Sequence, residues 1–266
     1  MPREYVYGPF QSRRLGLSLG VNVLTNYKLC TFNCVYCEIG KTAKQNLVSP
    51  HFRIKLPPSS NFRKELFSIL RYVPHLDSIT FGYNGEPTLN EHLLDFLNIA
   101  KEVRSKLNWT KEDPKFTLFT NSSTLHFGEI RERVKKFELI LAKLDVGDQK
   151  NFIRTNRPHL EIPNFNTIVD SLINLRQEMP ERNKLALQIL IYNSYREDFI
   201  SNNTSENISK LAQVIKKIKP NLVQIYSTAR IPAEYYVFSI DDERKKEIAE
   251  IFKEVINNDN IEIKIY

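Results

Sequence analysis

Cysteine is scarce in this 266-residue chain: there are three. So small and odd a number excludes the disulfide framework of a small secreted domain. Long hydrophobic runs are also missing. Nothing approaches the roughly 18–20 apolar residues of a membrane span. The opening MPREYVYGPF puts Arg3 and Glu4 where a secretory leader would begin its apolar stretch. There is no low-complexity tract, no long block of like charge and no repeat of solenoid period. These absences predict a soluble, cytoplasmic protein without a membrane partner.

What is present is 41% apolar, and 38 Lys and Arg stand against 31 Asp and Glu. A net charge of +7 permits attraction to RNA or another anion without requiring it. Many basic residues fall on the outer faces of predicted helices, among them Lys101, Arg104 and Lys106. Arg13, Arg14, Arg154, Arg157 and Arg230 fall in predicted loops, where binding residues concentrate.

Short β-rich runs alternate with amphipathic helical stretches. Strands are predicted at 19–24, 78–81, 116–120, 139–144, 185–192 and 222–226, with a last one in IEIKIY. Helices are predicted at about 60–72, 91–106, 129–136, 165–177, 205–217 and 241–256. Such alternation implies right-handed βαβ units and a parallel sheet, open or barrel-like. Active residues then belong at the carboxyl ends of the strands. No composition shift marks a domain boundary. A single domain over residues 1–266 is therefore expected, with a core at about 15–230 and a terminal helix and strand at about 240–266.

All three cysteines sit within eight residues, as Cys30-x3-Cys34-x2-Cys37. Three thiolates in one loop suit a soft metal or an iron–sulfur cluster. A structural zinc wants four protein ligands, and the nearest histidine is His51. Three ligands for four irons would leave one iron open to chemistry.

This loop, with Tyr36 before its last cysteine, resembles the radical S-adenosylmethionine (radical SAM) superfamily. Gly85-Glu86-Pro87 after the second strand resembles that family's Gly-Glu-Pro element. Tyr7-Gly-Pro-Phe-Gln-Ser-Arg13-Arg14-Leu-Gly, Asp145-Val-Gly-Asp148 and Asn156-Arg157-Pro158-His159 resemble a subgroup placed with wyosine-type tRNA enzymes. The wyosine synthases carry extra cysteines for a second cluster, and this chain has none to supply one.

The resemblance implies a partial (β/α)6 TIM-like barrel of the α/β class, with short N- and C-terminal extensions. It implies a [4Fe–4S] cluster on Cys30, Cys34 and Cys37, and S-adenosylmethionine as second cofactor. Tyr36, Gly85, Glu86, Pro87, Asn121, Ser122, Lys143, Asp145 and Gln188 match cofactor-contacting positions. Lys143 and Asp145 alternate with apolar residues and so share a face, expected to line the barrel. Arg13, Arg14, Arg157 and Arg230 are the candidates to meet an anionic substrate. The implied activity is an oxidoreductase-like radical reaction on an unidentified substrate, a tRNA base among the candidates. A flavodoxin- or ferredoxin-like electron donor is the implied partner. Two other readings stay open: a glycyl-radical-enzyme activase, and a non-catalytic zinc- or RNA-binding module.

Overall fold

Ten strands and seven helices make up the computed structural model, which describes residues 3–266. In chain order they are β1 (Val6–Ser12), β2 (Gly16–Val21), α1 (Ser60–Leu70), β3 (Ser78–Phe81), α2 (Leu93–Arg104), β4 (Lys115–Thr120), α3 (Gly128–Val134) and β5 (Leu139–Lys143). There follow α4 (Gln149–Asn156), α5 (Phe165–Glu178), β6 (Lys184–Leu190), β7 (Tyr192–Ser194), α6 (Ser205–Ile218), β8 (Leu222–Tyr226), β9 (Val237–Ser239), α7 (Asp242–Ile256) and β10 (Glu262–Ile265).

Eight strands form one curled sheet in the order β1-β2-β3-β4-β5-β6-β8-β10. From β2 to β10 every neighbour is parallel, and each crossover carries at least one helix. Both faces of a parallel sheet must be covered, which is why all four residues of β3 are buried. The helices supply the outer cover. α1 turns Phe62, Leu66 and Leu70 inward, and α6 turns Ile208, Leu211, Ile215 and Ile218 inward. Burying each such side chain contributes roughly 1.5–3 kcal/mol. Local chemistry sets the boundaries. Ser59, Asn164, Thr204 and Asp241 each accept a first-turn amide hydrogen bond at a helix start. α6 stops at Lys219, whose left-handed φ of 53° precedes Pro220.

The six-strand parallel core agrees with the sequence reading, and the ends correct it. β1 was not foreseen; it pairs antiparallel to β2 across a break between Tyr7 and Phe10, where Gly8 and Pro9 interrupt the alternation. The first parallel strand begins at Gly16 rather than at 19. The strand expected over 185–192 divides, because the chain leaves the sheet after Leu190 and Tyr192–Ser194 pairs with Val237–Ser239. β10 is no appendage, since it adds to β8 in parallel register. α4, also unforeseen, makes Arg154 a helical residue rather than a loop one. Among the described residues, no helix is long and apolar enough to cross a membrane.

Candidate active site

The cysteine loop follows β2 and lies over the carboxyl ends of the strands. Its path is stitched to the turn after β3. Leu29 N donates to Asn84 O at 2.7 Å, and Glu86 N donates to Leu29 O at 3.0 Å. This close approach needs Gly85, whose φ is +132°. A Cβ there would stand 1.7 Å from the Leu29 carbonyl oxygen.

Each thiol sulfur receives a donor from outside the cysteines. Asn121 Nδ2 reaches Cys30 Sγ at 3.4 Å, Asn156 Nδ2 reaches Cys34 Sγ at 3.5 Å, and Lys28 Nζ reaches Cys37 Sγ at 3.2 Å. Burial pushes the Cys30 thiol up to about 11 and the Cys34 thiol up to about 12, and neighbouring sulfurs push the same way. The three thiols are thus close enough to repel as thiolates. Among the described residues, no three or more His, Cys, Asp or Glu are gathered as one metal ion would require. His51 instead packs edge-on against Phe127. Three thiols in one loop, each met by an N–H donor, suit a soft metal or a cluster that takes thiolate ligands.

Beside the loop, Glu86 is fully buried. It accepts from Thr88 N at 3.2 Å, Thr88 Oγ1 at 2.7 Å, Thr120 Oγ1 at 2.9 Å and Asn121 N at 2.6 Å. Burial raises its pKa, and these four donors partly offset the rise. Pro87 starts the short 3-10 turn that Glu86 caps. Ser122 takes a left-handed φ of 70° and donates its hydroxyl to Lys143 O at 3.2 Å.

Lys143 and Asp145 do share the interior face. They pair at 2.6 Å, and Lys143 Nζ also donates to Tyr226 Oη at 2.8 Å. Asp145 accepts the Tyr36 hydroxyl and Leu190 N, the latter at 2.7 Å. Burial and then the Asp145 charge push the Tyr36 phenol well up. One carboxylate thereby ties β5, β6 and the cysteine loop together.

Gln188 is buried on β6 and donates to Gln224 Oε1 at 2.9 Å, its register partner on β8. Of the four arginines, Arg157 is clamped to Glu234 and Tyr236, and Arg230 is largely exposed, 3.9 Å from Glu38. Arg13 is exposed. Arg14 alone turns inward, its guanidinium 4.0 Å above the Tyr226 ring with Nη1 buried and unpartnered. Sequence reasoning missed Lys28, Asn156 and Glu234. Glu234 anchors Lys41 and Arg157, and its backbone N donates to Val35 O at 3.0 Å inside the cysteine loop. Only the Asn156-Arg157-Pro158-His159 segment hinted at any of them.

A curled, mostly parallel half-barrel matches the fold that the radical SAM resemblance implied, a partial TIM-like barrel. TYW1 with a lysine-pyruvate adduct bound superposes with a TM-score of 0.61 at 11% identity, over 89% of this chain and 73% of that one. Streptococcus suis SuiB bound to S-adenosylmethionine gives 0.59 at 14% identity, over 92% of this chain and 50% of that one. No protein-family profile matches the chain. A UPF0026 protein of Methanocaldococcus jannaschii, MJ1312, is 30% identical over 259 residues, covering 97% of this chain and 74% of the relative. One from Helicobacter pylori strain J99 is 26% identical over 230 residues, 86% of this chain and 68% of its own length. The chain belongs to the UPF0026 family.

Proposed function

We propose that the protein is a radical SAM enzyme whose cofactors are a [4Fe–4S] cluster on Cys30, Cys34 and Cys37 and S-adenosylmethionine beside it. When bound, that pair supplies reductive cleavage of the sulfonium and a 5′-deoxyadenosyl radical able to take hydrogen from a substrate. The chain's own residues bind, orient and exclude water. Lys28, Asn121 and Asn156 direct N–H groups at the three sulfurs, stabilising negative charge there. The backbone of Gly85, Glu86 and Pro87 faces the same loop and would meet the amine of the methionine moiety. Asn121 and Ser122 would hold its carboxylate or ribose. Tyr36 would lie along the adenine, held by Asp145 and Asn156. Lys143, neutralised by Asp145, would line the mouth rather than carry a free charge. Among the arginine candidates, Arg157 already has its partners and Arg14 enters the half-barrel from the opposite, amino end, so neither is assigned to the substrate.

The observation that carries this reading is the meeting of three thiols, each with its own N–H donor, with the Gly85–Glu86 turn at the strand ends. The test is direct. Protein reconstituted anaerobically with iron and sulfide, then given dithionite and S-adenosylmethionine, releases 5′-deoxyadenosine. The Cys30→Ala/Cys34→Ala/Cys37→Ala protein does not. A wild type fully loaded with cluster that yields none would sink the reading. The electron donor is expected to be a flavodoxin- or ferredoxin-like protein, and the protein to work in the cytoplasm as one domain.

A further inference from the structure

At the other end of the half-barrel lies a cavity of about 1300 Å³. Gly16, Ser78, Lys115, Leu139, Lys184, Leu222 and Glu262, the first residues of seven strands, form its floor. It therefore faces away from the cysteine loop. Its lining holds ten Lys or Arg against five Asp or Glu, most of the positive excess of the whole chain.

Several of these cations are not neutralised. Arg104 is held by Glu138 at 2.9 Å. Lys101, Lys136 and Arg182 stand around it with no ion pair in the described structure within 4.0 Å. Their proximity has a measurable sign. Burial lowers the Lys101 pKa, and the charges of Arg104, Lys136 and Arg182 lower it further, against the opposing pull of Glu138. Two ring or guanidinium nitrogens on the same lining, Arg14 Nη1 and His75 Nδ1, are buried without a hydrogen-bond partner. Clustered like charge and orphaned polar atoms both cost stability. A fold keeps them at one concave place when something anionic relieves them.

We propose that this amino-terminal mouth is a binding site for a ligand carrying several phosphates. The width of the cavity argues for multiple charges rather than one carboxylate. Phosphate oxygens can serve arginines and lysines together. Two sources share that chemistry, an RNA backbone and a free polyphosphorylated small molecule.

Two probes separate the sources: inorganic tripolyphosphate followed by calorimetry, and a fluorescein-labelled oligouridylate followed by anisotropy. The Lys101→Glu/Lys136→Glu/Arg182→Glu protein should bind its probe about tenfold more weakly or worse, a loss of about 1.4 kcal/mol or more. If RNA is the ligand, the salt slope of its binding should also flatten by roughly two to three. A control with the same charge change on outer helix faces, Lys216→Glu/Lys217→Glu/Lys246→Glu, should bind within about twofold of wild type. RNA binding that tripolyphosphate displaces identifies the backbone as source; tripolyphosphate binding alone identifies the small ligand. Absence of binding by both probes, or equal weakening by the control, overturns the proposal. If the reversed protein does not fold, the milder Lys101→Gln/Lys136→Gln/Arg182→Gln protein takes its place, with about threefold weakening expected. S-adenosylmethionine cleavage should persist in all these variants, so failure here is distinguishable from failure of the radical reading.

Discussion

At the carboxyl end of the strands, Glu86 is fully buried with four donors around it, and the buried Asp145 pairs with a half-buried Lys143. At the amino end, Lys101 is partly buried among three more cations with one carboxylate close by. Both ends concentrate charge. One is internally satisfied and rigidly specified; the other is left in excess. A charge removed from the first should therefore destabilise the protein, and a charge removed from the second should stabilise it.

The sharpest way to break that contrast is at the loop contact itself. Gly85→Ala forces a methyl into the Leu29 carbonyl and strains a φ of +132°. It should cost about 4 kcal/mol or more in chemical denaturation. Next is Asp145→Ala, which strands the Lys143 ammonium and the Leu190 amide. A loss of about 3–5 kcal/mol is expected, and the double Asp145→Ala/Lys143→Met protein should recover much of it. A smaller effect belongs to Asp148, which caps α4 through Asn151 N at 2.8 Å and pairs with Lys210 at 2.8 Å. Burial opposes its ionisation, but these partners outweigh burial and hold its carboxyl below the ordinary range. Its folded pKa is depressed, so its contribution is present at neutral pH and fades as pH falls through the acidic carboxylate range. Asp148→Ala should cost about 1 kcal/mol at pH 7 and progressively less in acid. Smallest, and opposite in sign, is Lys101→Gln. A gain of about 0.5 kcal/mol at low salt is expected, shrinking as salt screens the cluster. A loss there would erase the distinction between the two ends.

The half-barrel was readable because its parallel strands are short apolar runs between strongly periodic helices. The cysteine loop was readable because its three cysteines are local in the chain. What escaped depends on long-range closure. Asn156 meets Cys34 across 122 residues, and the motif around Asn156 does not say which side chain it faces. The pairing of Gln188 with Gln224 could have been inferred: KLALQIL and LVQIY each carry one buried glutamine, and parallel register sets the two side by side. β1 is an edge strand exposed over Pro9, Phe10 and Gln11 in succession, with Gly8 and Pro9 within it, so its alternation is weak. α4 was hidden because its first turn is polar and its cap, Asp148, also belongs to the Asp145–Asp148 motif. The charge excess at the amino mouth could not be seen at all, because its lysines and arginines come from separate helices and strands.

The Asp145 carboxylate holds the phenol of the cysteine loop with one oxygen, and the Leu190 amide and Lys143 ammonium with the other. Leu190 is also where the chain leaves the main sheet for β7. A disturbance of the loop that shifts Tyr36 is therefore felt at that exit, on the far side of the ion pair. The Leu190 amide acts as a gauge: its rate of deuterium uptake reports, from within the barrel wall, how firmly the loop above it is moored.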